Sequence, residues 1–255
     1  MADPTELTDL TAAAFVARLT ALASDEQRAA GSRYFKGGEG AAADDRFLGV
    51  RMRDVFDLGA AFKGLPLAEL ERLLESPYHE ARAGAVKVMA LQAAAKGAAP
   101  ERIRELHELY LRRHDRINDW DLVDLGAWNV VGRHLADQPR GILDELARSG
   151  DAWERRTAIL ATLFFIRSGD LDDTFRIGAV LVNDDHDLVR KAVGGALREA
   201  GTKDRGRLLA FLDEHAATMS RVALRYAIEH LEPGDRARYL DLKRAAPFAS
   251  DRPPR

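Results

Sequence analysis

Three side chains in the stretch INDWDLVDLGAW, residues 117–128, have the types and the spacing of a chemical site. Trp120, Asp124 and Trp128 follow one another at intervals of four residues, which places them along one face of a helix. A carboxylate can stabilise a developing positive charge and orient water, and an indole face stabilises a nearby cation by about 0.5–2 kcal/mol. This stripe is therefore a candidate site for chemistry on a cationic substrate.

The same stretch also fits a purely structural interpretation. Asn118 or Asp119 caps the helix and Asp121 supports its first turn. Asp124 is then a half-buried acid that pairs with an arginine, and spacing alone favours this interpretation because such ion pairs are common. Asp124 lies past the first turn, however, so capping does not explain it, and both interpretations stay open.

Most other chemistries find no support in the sequence. The chain has no cysteine, which excludes disulfides and thiolate chemistry. His107 and His114 are seven residues apart and no HExxH motif occurs, so we predict no metal site. No GxSxG motif marks a nucleophilic serine. The glycine-rich segment 36–47 lacks the GK[ST] of a phosphate-binding loop, and we expect a surface loop there.

The elements that must position the stripe are helices. Hydrophobic residues make up 46% and charged residues 31% of the 255, a composition that is typical of a folded, soluble domain. Strand patterns are nearly absent, and amphipathic helical patterns follow one another with short breaks. Three segments share a polar start, a basic residue and then a small, aliphatic helix: 76–92, 149–165 and 183–199. This repetition predicts an all-α solenoid of HEAT-like helical repeats with a concave groove.

We expect one domain over residues 1–245, because no linker divides it, followed by a flexible tail at 246–255. Thr202 and Ser220 are expected to cap helices. The N-terminus carries acids where a signal peptide carries lysine or arginine, and the longest apolar run, 158–166, is shorter than the ~20 residues of a membrane span. We therefore expect a cytoplasmic protein without a membrane partner, and we separately expect it to be a monomer.

Basic side chains recur near the starts or on one side of the repeat helices. Arg156, Lys191 and Lys87 belong to this set, as do Arg51, Arg53, Arg82 and Arg198. Cations at matching places in successive repeats line one surface, and such a surface suits duplex DNA. The net charge of −3 supports the alternative that they are ordinary exposed charges. The charges alone leave both interpretations open.

Five ordered segments carry a family resemblance: RYFK…DRFLGVR (33–51), SPYHEAR (76–82), INDWDLVDL (117–125), WERRTAIL (153–160) and VRKAVGGALREAG (189–201). Through them, over most of its length, the chain resembles the AlkD-like DNA alkylation-repair glycosylases, a family of HEAT-like repeats. The resemblance implies a basic concave groove that holds double-stranded DNA. It also implies excision of positively charged N-alkylated purines, such as 3-methyladenine and 7-methylguanine, without base flipping. No metal or organic cofactor is implied, and a DNA partner suggests association with the nucleoid.

The resemblance assigns roles residue by residue. Trp120 matches the aromatic that packs against the sugar and backbone of the lesion, and Asp124 matches the catalytic carboxylate. Arg156 matches an arginine that holds a phosphate near the lesion. Tyr34 is a looser match to an aromatic near the groove. Lys191 and Lys87 are expected to bind DNA with Arg156.

Gly195 departs from the family pattern, because a second cleft tryptophan is expected there. Glycine inside a helix costs about 1 kcal/mol relative to alanine, so the Gly194–Gly195 pair needs a reason. A larger adduct could occupy the space, Trp128 or Trp153 could fill it, or catalysis could be lost. The last case predicts a non-catalytic protein that binds damaged or branched DNA, and a protein-interaction scaffold is a third alternative.

Overall fold

A computed structural model describes residues 9–29 and 45–242 of the chain. Within these ranges the protein is all-α: no strand occurs, and Arg46 and Tyr78 form an isolated β-bridge. The predicted fold class is thereby confirmed, while the predicted solenoid with its concave groove stays a prediction. No helix of the described ranges is both long and apolar enough to cross a membrane.

The chain separates into two compact units between His134 and Leu135. Each unit is described by itself below. The expectation of a single domain over residues 1–245 is not tested by this division and stays a prediction. The expected tail at 246–255 lies outside the described residues.

The first unit is built around one buried helix. Its helices are α1 (Ala12–Ala21), α2 (Met52–Ala61), α3 (Leu67–Leu74), α4 (His79–Ala93), α5 (Pro100–Arg112) and α6 (Trp120–Gly126), with a 3₁₀ turn (His114–Arg116) and a π-helical turn (Ala127–Gly132). The short helix α7 (Arg133–Leu135) contains the point of division. Helix α4 packs against α2, α3, α5 and α6. Alanine, glycine and valine dominate α4, so neighbours can surround it on every side.

Helix α6 approaches α4 and α5 closely because Gly126 faces them. A Cβ atom at Gly126 would lie 2.5 Å from the Tyr110 ring and 2.8 Å from the Val86 side chain. No side chain fits in that space, so the Gly126 face of α6 is fixed against the core. The opposite face of α6 is consequently turned away from the core.

The second unit is also arranged around one helix. Its helices are α8 (Ile142–Ala147), α9 (Ala152–Ala161), α10 (Leu163–Ile166), α11 (Asp172–Leu181), α12 (Asp187–Lys203), α13 (Arg205–His215), α14 (Arg221–Ala227) and α15 (Pro233–Asp241). Helix α12 packs against α9, α11, α13 and α14. Gly194 permits the close approach of α14, since a Cβ there would lie 2.4 Å from the carbonyl oxygen of Ala223.

A recurring arginine gives the repeated sequence pattern a physical reason. Arg82 in α4 and Arg155 in α9 are buried, and each lies four residues after the N-cap of its helix. Each donates to a backbone carbonyl six residues earlier, that of Ser76 or Ser149, at 3.1 Å. The arginine thus ties the turn before each helix to the helix itself.

Two predicted helix caps have opposite outcomes. The Ser220 hydroxyl accepts the N–H of Val222 at 3.2 Å, which confirms it as the N-cap of α14. Thr202 is not a cap, because α12 continues through Lys203 and the Thr202 hydroxyl donates back to the carbonyl of Glu199. The Asp204 carboxylate caps α13 instead, through the N–H of Arg207.

Candidate functional site

The start of α6 is fixed by two carboxylates. Asp119 is the N-cap, as one alternative predicted, and its carboxylate accepts the backbone N–H of Trp120 at 2.6 Å. Asp121 accepts the N–H of Leu122 at 2.9 Å through Oδ1. Trp120 is therefore the first residue of the helix, held between two anchored neighbours.

The Trp120–Asp124–Trp128 stripe lies on the outer side of α6 and the turn that follows. Trp120 and Trp128 are half-buried and Asp124 is exposed. The inward side consists of Leu122, Val123, Gly126 and Ala127, all of them buried. The half-buried placement of Asp124 in the structural interpretation is thus wrong, and the stripe is a surface feature rather than part of the core.

Helix α6 does not continue as a regular α-helix. The sequence pattern predicts one helix over 119–136, but the α-helical hydrogen bonding ends at Gly126 and a π-helical turn spans Ala127–Gly132. Such turns are rare and occur frequently at functional sites. Trp128 lies inside the turn, so its position depends on a local geometry that residue spacing cannot predict.

Behind the start of α6 lies a buried ionic cluster formed by His79, Asp45, Arg82, Asp119 and Asp121. The His79 Nε2 atom is 2.8 Å from Oδ2 of Asp121, and its Nδ1 atom is 3.6 Å from Oδ2 of Asp45. Arg82 donates to the same Asp45 oxygen at 2.5 Å. Charged groups of three chain segments therefore meet at the start of α6, beside Trp120 in the chain.

The cluster shifts the pKa of two of its members strongly. Burial alone would lower the pKa of His79, but its hydrogen bond to Asp121 and the nearby carboxylate of Asp45 raise it to about 9. Burial and the neighbouring Asp121 carboxylate raise the pKa of Asp119 to about 6. At neutral pH His79 is consequently a buried imidazolium that offsets part of the acidic charge around it.

The same cluster is the place where the described residues come nearest to a metal site. Ligand atoms of His79, Asp119 and Asp121 all lie within 4.8 Å of one another. Metal ligation requires a neutral imidazole, whereas the His79 ring is protonated at neutral pH and already bonded to Asp121. The prediction that the protein has no metal site stays a prediction.

Cations of the second unit lie on α9 and α12. Arg156 is buried and donates to the backbone carbonyl of Leu188. Lys191 is half-buried with Nζ 2.8 Å from Asp187, whose hydrogen bond raises the lysine pKa, while the nearby charge of Arg156 lowers it. Arg156 and Lys191 are thus close enough to interact electrostatically, and their predicted role in phosphate binding stays a prediction.

Gly194 and Gly195 differ sharply in their surroundings. Gly194 faces α14, where a Cβ would also lie 2.5 Å from Cβ of Tyr226. At Gly195 a Cβ would meet no heavy atom within 4 Å, although the residue is half-buried. Close packing therefore explains Gly194 but not Gly195, where the position expected to hold a tryptophan is open.

The remaining candidate residues are scattered. Lys87 of α4 places Nζ 5.1 Å from the centre of the Phe56 ring, and its predicted role in DNA binding stays a prediction. Tyr34 lies outside the described residues. Arg82 was expected among the surface cations, and this is wrong because its side chain is fully buried in the ionic cluster.

Sequence reasoning missed His79. Its signal is weak, because a histidine at the first position of a helix has no characteristic partner spacing, and Asp45 and Asp121 are 34 and 42 residues away. The start of α4 carries three ionisable residues, His79, Glu80 and Arg82, ahead of a mainly small and aliphatic stretch, and this polar cluster is a hint that the sequence offers.

Comparisons with known proteins agree with this fold. The sequence model of the DNA alkylation repair enzyme family matches residues 15–231. A solved structure of a predicted DNA alkylation repair enzyme from Enterococcus faecalis superposes with a TM-score of 0.64 over 83% of this chain and 97% of that chain, at 17% sequence identity. A comparison with curated proteins finds no match. The match over most of its length shows that the chain belongs to the family of DNA alkylation repair enzymes.

Proposed function

We propose that this protein is a DNA glycosylase that hydrolyses the N-glycosidic bond of positively charged N-alkylated purines in double-stranded DNA without base flipping. The observation that carries the proposal is the outward stripe of α6, where an exposed Asp124 lies between two half-buried indoles. Membership of the family of DNA alkylation repair enzymes supports it.

The side chains of the stripe match what this reaction requires. Alkylation at N3 or N7 makes the purine a cationic leaving group, so no general acid is needed. When the C1′–N bond breaks, its electron pair neutralises the purine and the sugar becomes an oxocarbenium-like cation. The Asp124 carboxylate stabilises this cation and orients the water that attacks C1′, and the Trp120 indole adds cation–π stabilisation.

DNA binding is assigned to the basic residues. Arg156 and Lys191 contact backbone phosphates, Lys87 adds a further contact, and Tyr34 contributes an aromatic surface near the lesion. The electrostatic proximity of Arg156 and Lys191 supports a common anionic ligand. The slope of log Kd against log salt concentration is proportional to the number of phosphate contacts, so each contact that is lost makes this slope shallower.

The open position at Gly195 favours acceptance of adducts larger than a methyl group. A Cβ at this position would contact no other element within 4 Å, and a helical glycine without a packing reason is costly. The same opening is the observation that favours the alternative function, a protein that binds damaged or branched DNA without cleaving it.

A base-release assay tests the proposal. Duplexes with a single 7-methylguanine, or with a bulky N7 adduct, are incubated with protein in excess, and the freed base and the abasic site are both measured. We expect release from both duplexes. Asp124→Asn should slow release by about 100-fold or more, because the stabilising charge is removed, and leave the Kd for DNA within about threefold.

Asp57→Asn is the matched control, since Asp57 is an exposed acid on α2 in the same unit. It should release base at the wild-type rate. Salt-sensitive DNA binding without any base release would replace the glycosylase proposal by the non-catalytic alternative.

A further inference from the structure

We propose that His79 is a positioning residue for the reaction at Trp120 and Asp124, holding the first turn of α6 in its working orientation. This inference rests on the proposed function, to which it adds a residue that touches neither DNA nor the reacting atoms. It is carried by the geometry of the buried cluster, in which one imidazole joins α6 to the segment 45–50.

The segment 45–50 is bound tightly to the start of α4. The backbone N–H groups of Leu48, Gly49 and Val50 all donate to the buried carboxylate of Glu80, at 3.0, 2.8 and 3.3 Å. The N–H of His79 donates to the carbonyl of Arg46 at 2.9 Å. Segment 45–50 and the start of α4 therefore form one rigid support.

His79 extends this support to α6. Its ring is 1% exposed, packs against the Phe47 ring at 5.2 Å between centroids, and meets Asp121 in the first turn of α6. Helix α6 has only seven residues before the π-helical turn, too few to be stable by itself. Its orientation must come from tertiary contacts, and the contact between His79 and Asp121 lies one residue from Trp120.

A role in stability alone does not account for this arrangement. Buried ion pairs usually contribute little net stability compared with apolar side chains of the same volume. What they supply is directional: a charged hydrogen bond at 2.8 Å fixes both the distance and the angle of the helix start. A shift of about 1 Å at a reacting group can cost a hundredfold in rate.

The positioning depends on the positive charge of the His79 ring. Four ionisable groups surround this ring. Asp45 comes from the segment 45–50, Arg82 from α4, and Asp119 and Asp121 from α6 and its cap. The pKa of His79 is raised from 6.5 to about 9, so the bridge is complete below pH 6.5 and is lost as pH rises through about 9. The first turn of α6 should therefore lose its fixed orientation as pH rises through about 9.

Two measurements on the full-length protein test the inference. Tryptophan emission of the wild type should change with a midpoint near pH 9, apart from any tyrosine-related change at higher pH. His79→Gln should lack this transition, and Trp120→Phe should lack it too, because the inference makes Trp120 the reporter. In single-turnover release, His79→Gln should be about 10- to 100-fold slower with its Kd for DNA within threefold. His230→Gln, at an exposed histidine of the second unit, should match the wild type in both measurements.

The outcomes separate this inference from the proposed function. A wild type that releases no base contradicts the proposed function, and the emission titration still decides whether His79 orients Trp120. The inference is overturned if His79→Gln keeps the emission transition near pH 9 and releases base at the wild-type rate. If circular dichroism shows that His79→Gln is unfolded, Asp121→Asn weakens the same contact with the histidine in place and decides the question by the same two readouts.

Discussion

Helices α6 and α12 carry opposite charges at the same helical position. Asp124 lies five residues after the N-cap of α6, and Lys191 lies five residues after the N-cap of α12. Arg156 in α9 and Arg225 in α14 occupy that position too. Arg176 in α11 and, in the first unit, Arg104 in α5 lie five residues after their N-caps as well. A cation thus recurs at this position in both units while α6 carries a carboxylate there, which suggests that one helical scaffold supports either phosphate binding or chemistry according to a single side chain.

The same pair of helices differs again one turn later. The residue nine positions after the N-cap of α6 is Trp128, and the residue nine positions after the N-cap of α12 is Gly195. The tryptophan lies in a π-helical turn, whereas the glycine lies in a regular α-helix with open space around it. The first unit therefore offers an aromatic wall at this position and the second unit offers room.

The arginines four residues after the N-caps of α9 and α12 differ in burial. The Arg155 side chain is 3% exposed and binds Asp184, whose side chain is fully buried, at 2.7 and 2.9 Å. The Arg190 side chain in α12 is 28% exposed, and its guanidinium makes a longer contact, 3.8 Å, with the Asp187 carboxylate. Removing one partner should therefore cost far more stability in the buried pair, where the other charge is left without compensation, than in the exposed pair.

The largest expected effect follows from this contrast. Arg155→Met leaves Asp184 buried without its two guanidinium hydrogen bonds, and we expect the free energy of unfolding to fall by about 3–5 kcal/mol. Arg190→Met should cost less than about 1 kcal/mol because its ion pair is weak and solvated. Urea unfolding measures both, and equal losses would contradict the idea that the buried arginine anchors its repeat.

A smaller effect distinguishes the two adjacent glycines. Gly194→Ala forces a Cβ against the carbonyl of Ala223, and we expect a loss of about 1–3 kcal/mol. Gly195→Ala meets no neighbour and should stabilise the helix by about 0.5–1 kcal/mol. Thermal unfolding of the two variants side by side gives the sign of each change, and a destabilising Gly195→Ala would contradict the open space described for this position.

Much of the first unit's candidate site follows from the sequence. Helical periodicity places Trp120 and Asp124 on one face, and the short polar side chain of Asp119 is a recognisable cap. These are local properties, because they depend on residues within one or two turns. The all-α fold is predictable for the same reason, since helical patterns and the scarcity of strand patterns are visible along the chain.

The features that were missed depend on distant residues. The burial of Arg82 and the protonated state of His79 result from Asp45 and Asp121, which are separated from them in sequence by tens of residues. The π-helical turn contains no proline, and the glycines at its two ends, Gly126 and Gly132, do not by themselves distinguish it from an α-helix. Long-range pairing of this kind leaves no periodic signal in a single sequence.

The most direct test of the account compares Asp124→Asn with Lys191→Gln on one duplex that carries a single 7-methylguanine. Single-turnover release and the salt dependence of Kd are measured for both variants. Asp124→Asn should lower the release rate by about 100-fold with the salt slope unchanged, because it alters chemistry and no phosphate contact. Lys191→Gln should reduce the salt slope by about one and slow release little once DNA is saturated. Equal effects of the two variants on both quantities would contradict a division between a catalytic carboxylate in α6 and a phosphate-binding cation in α12.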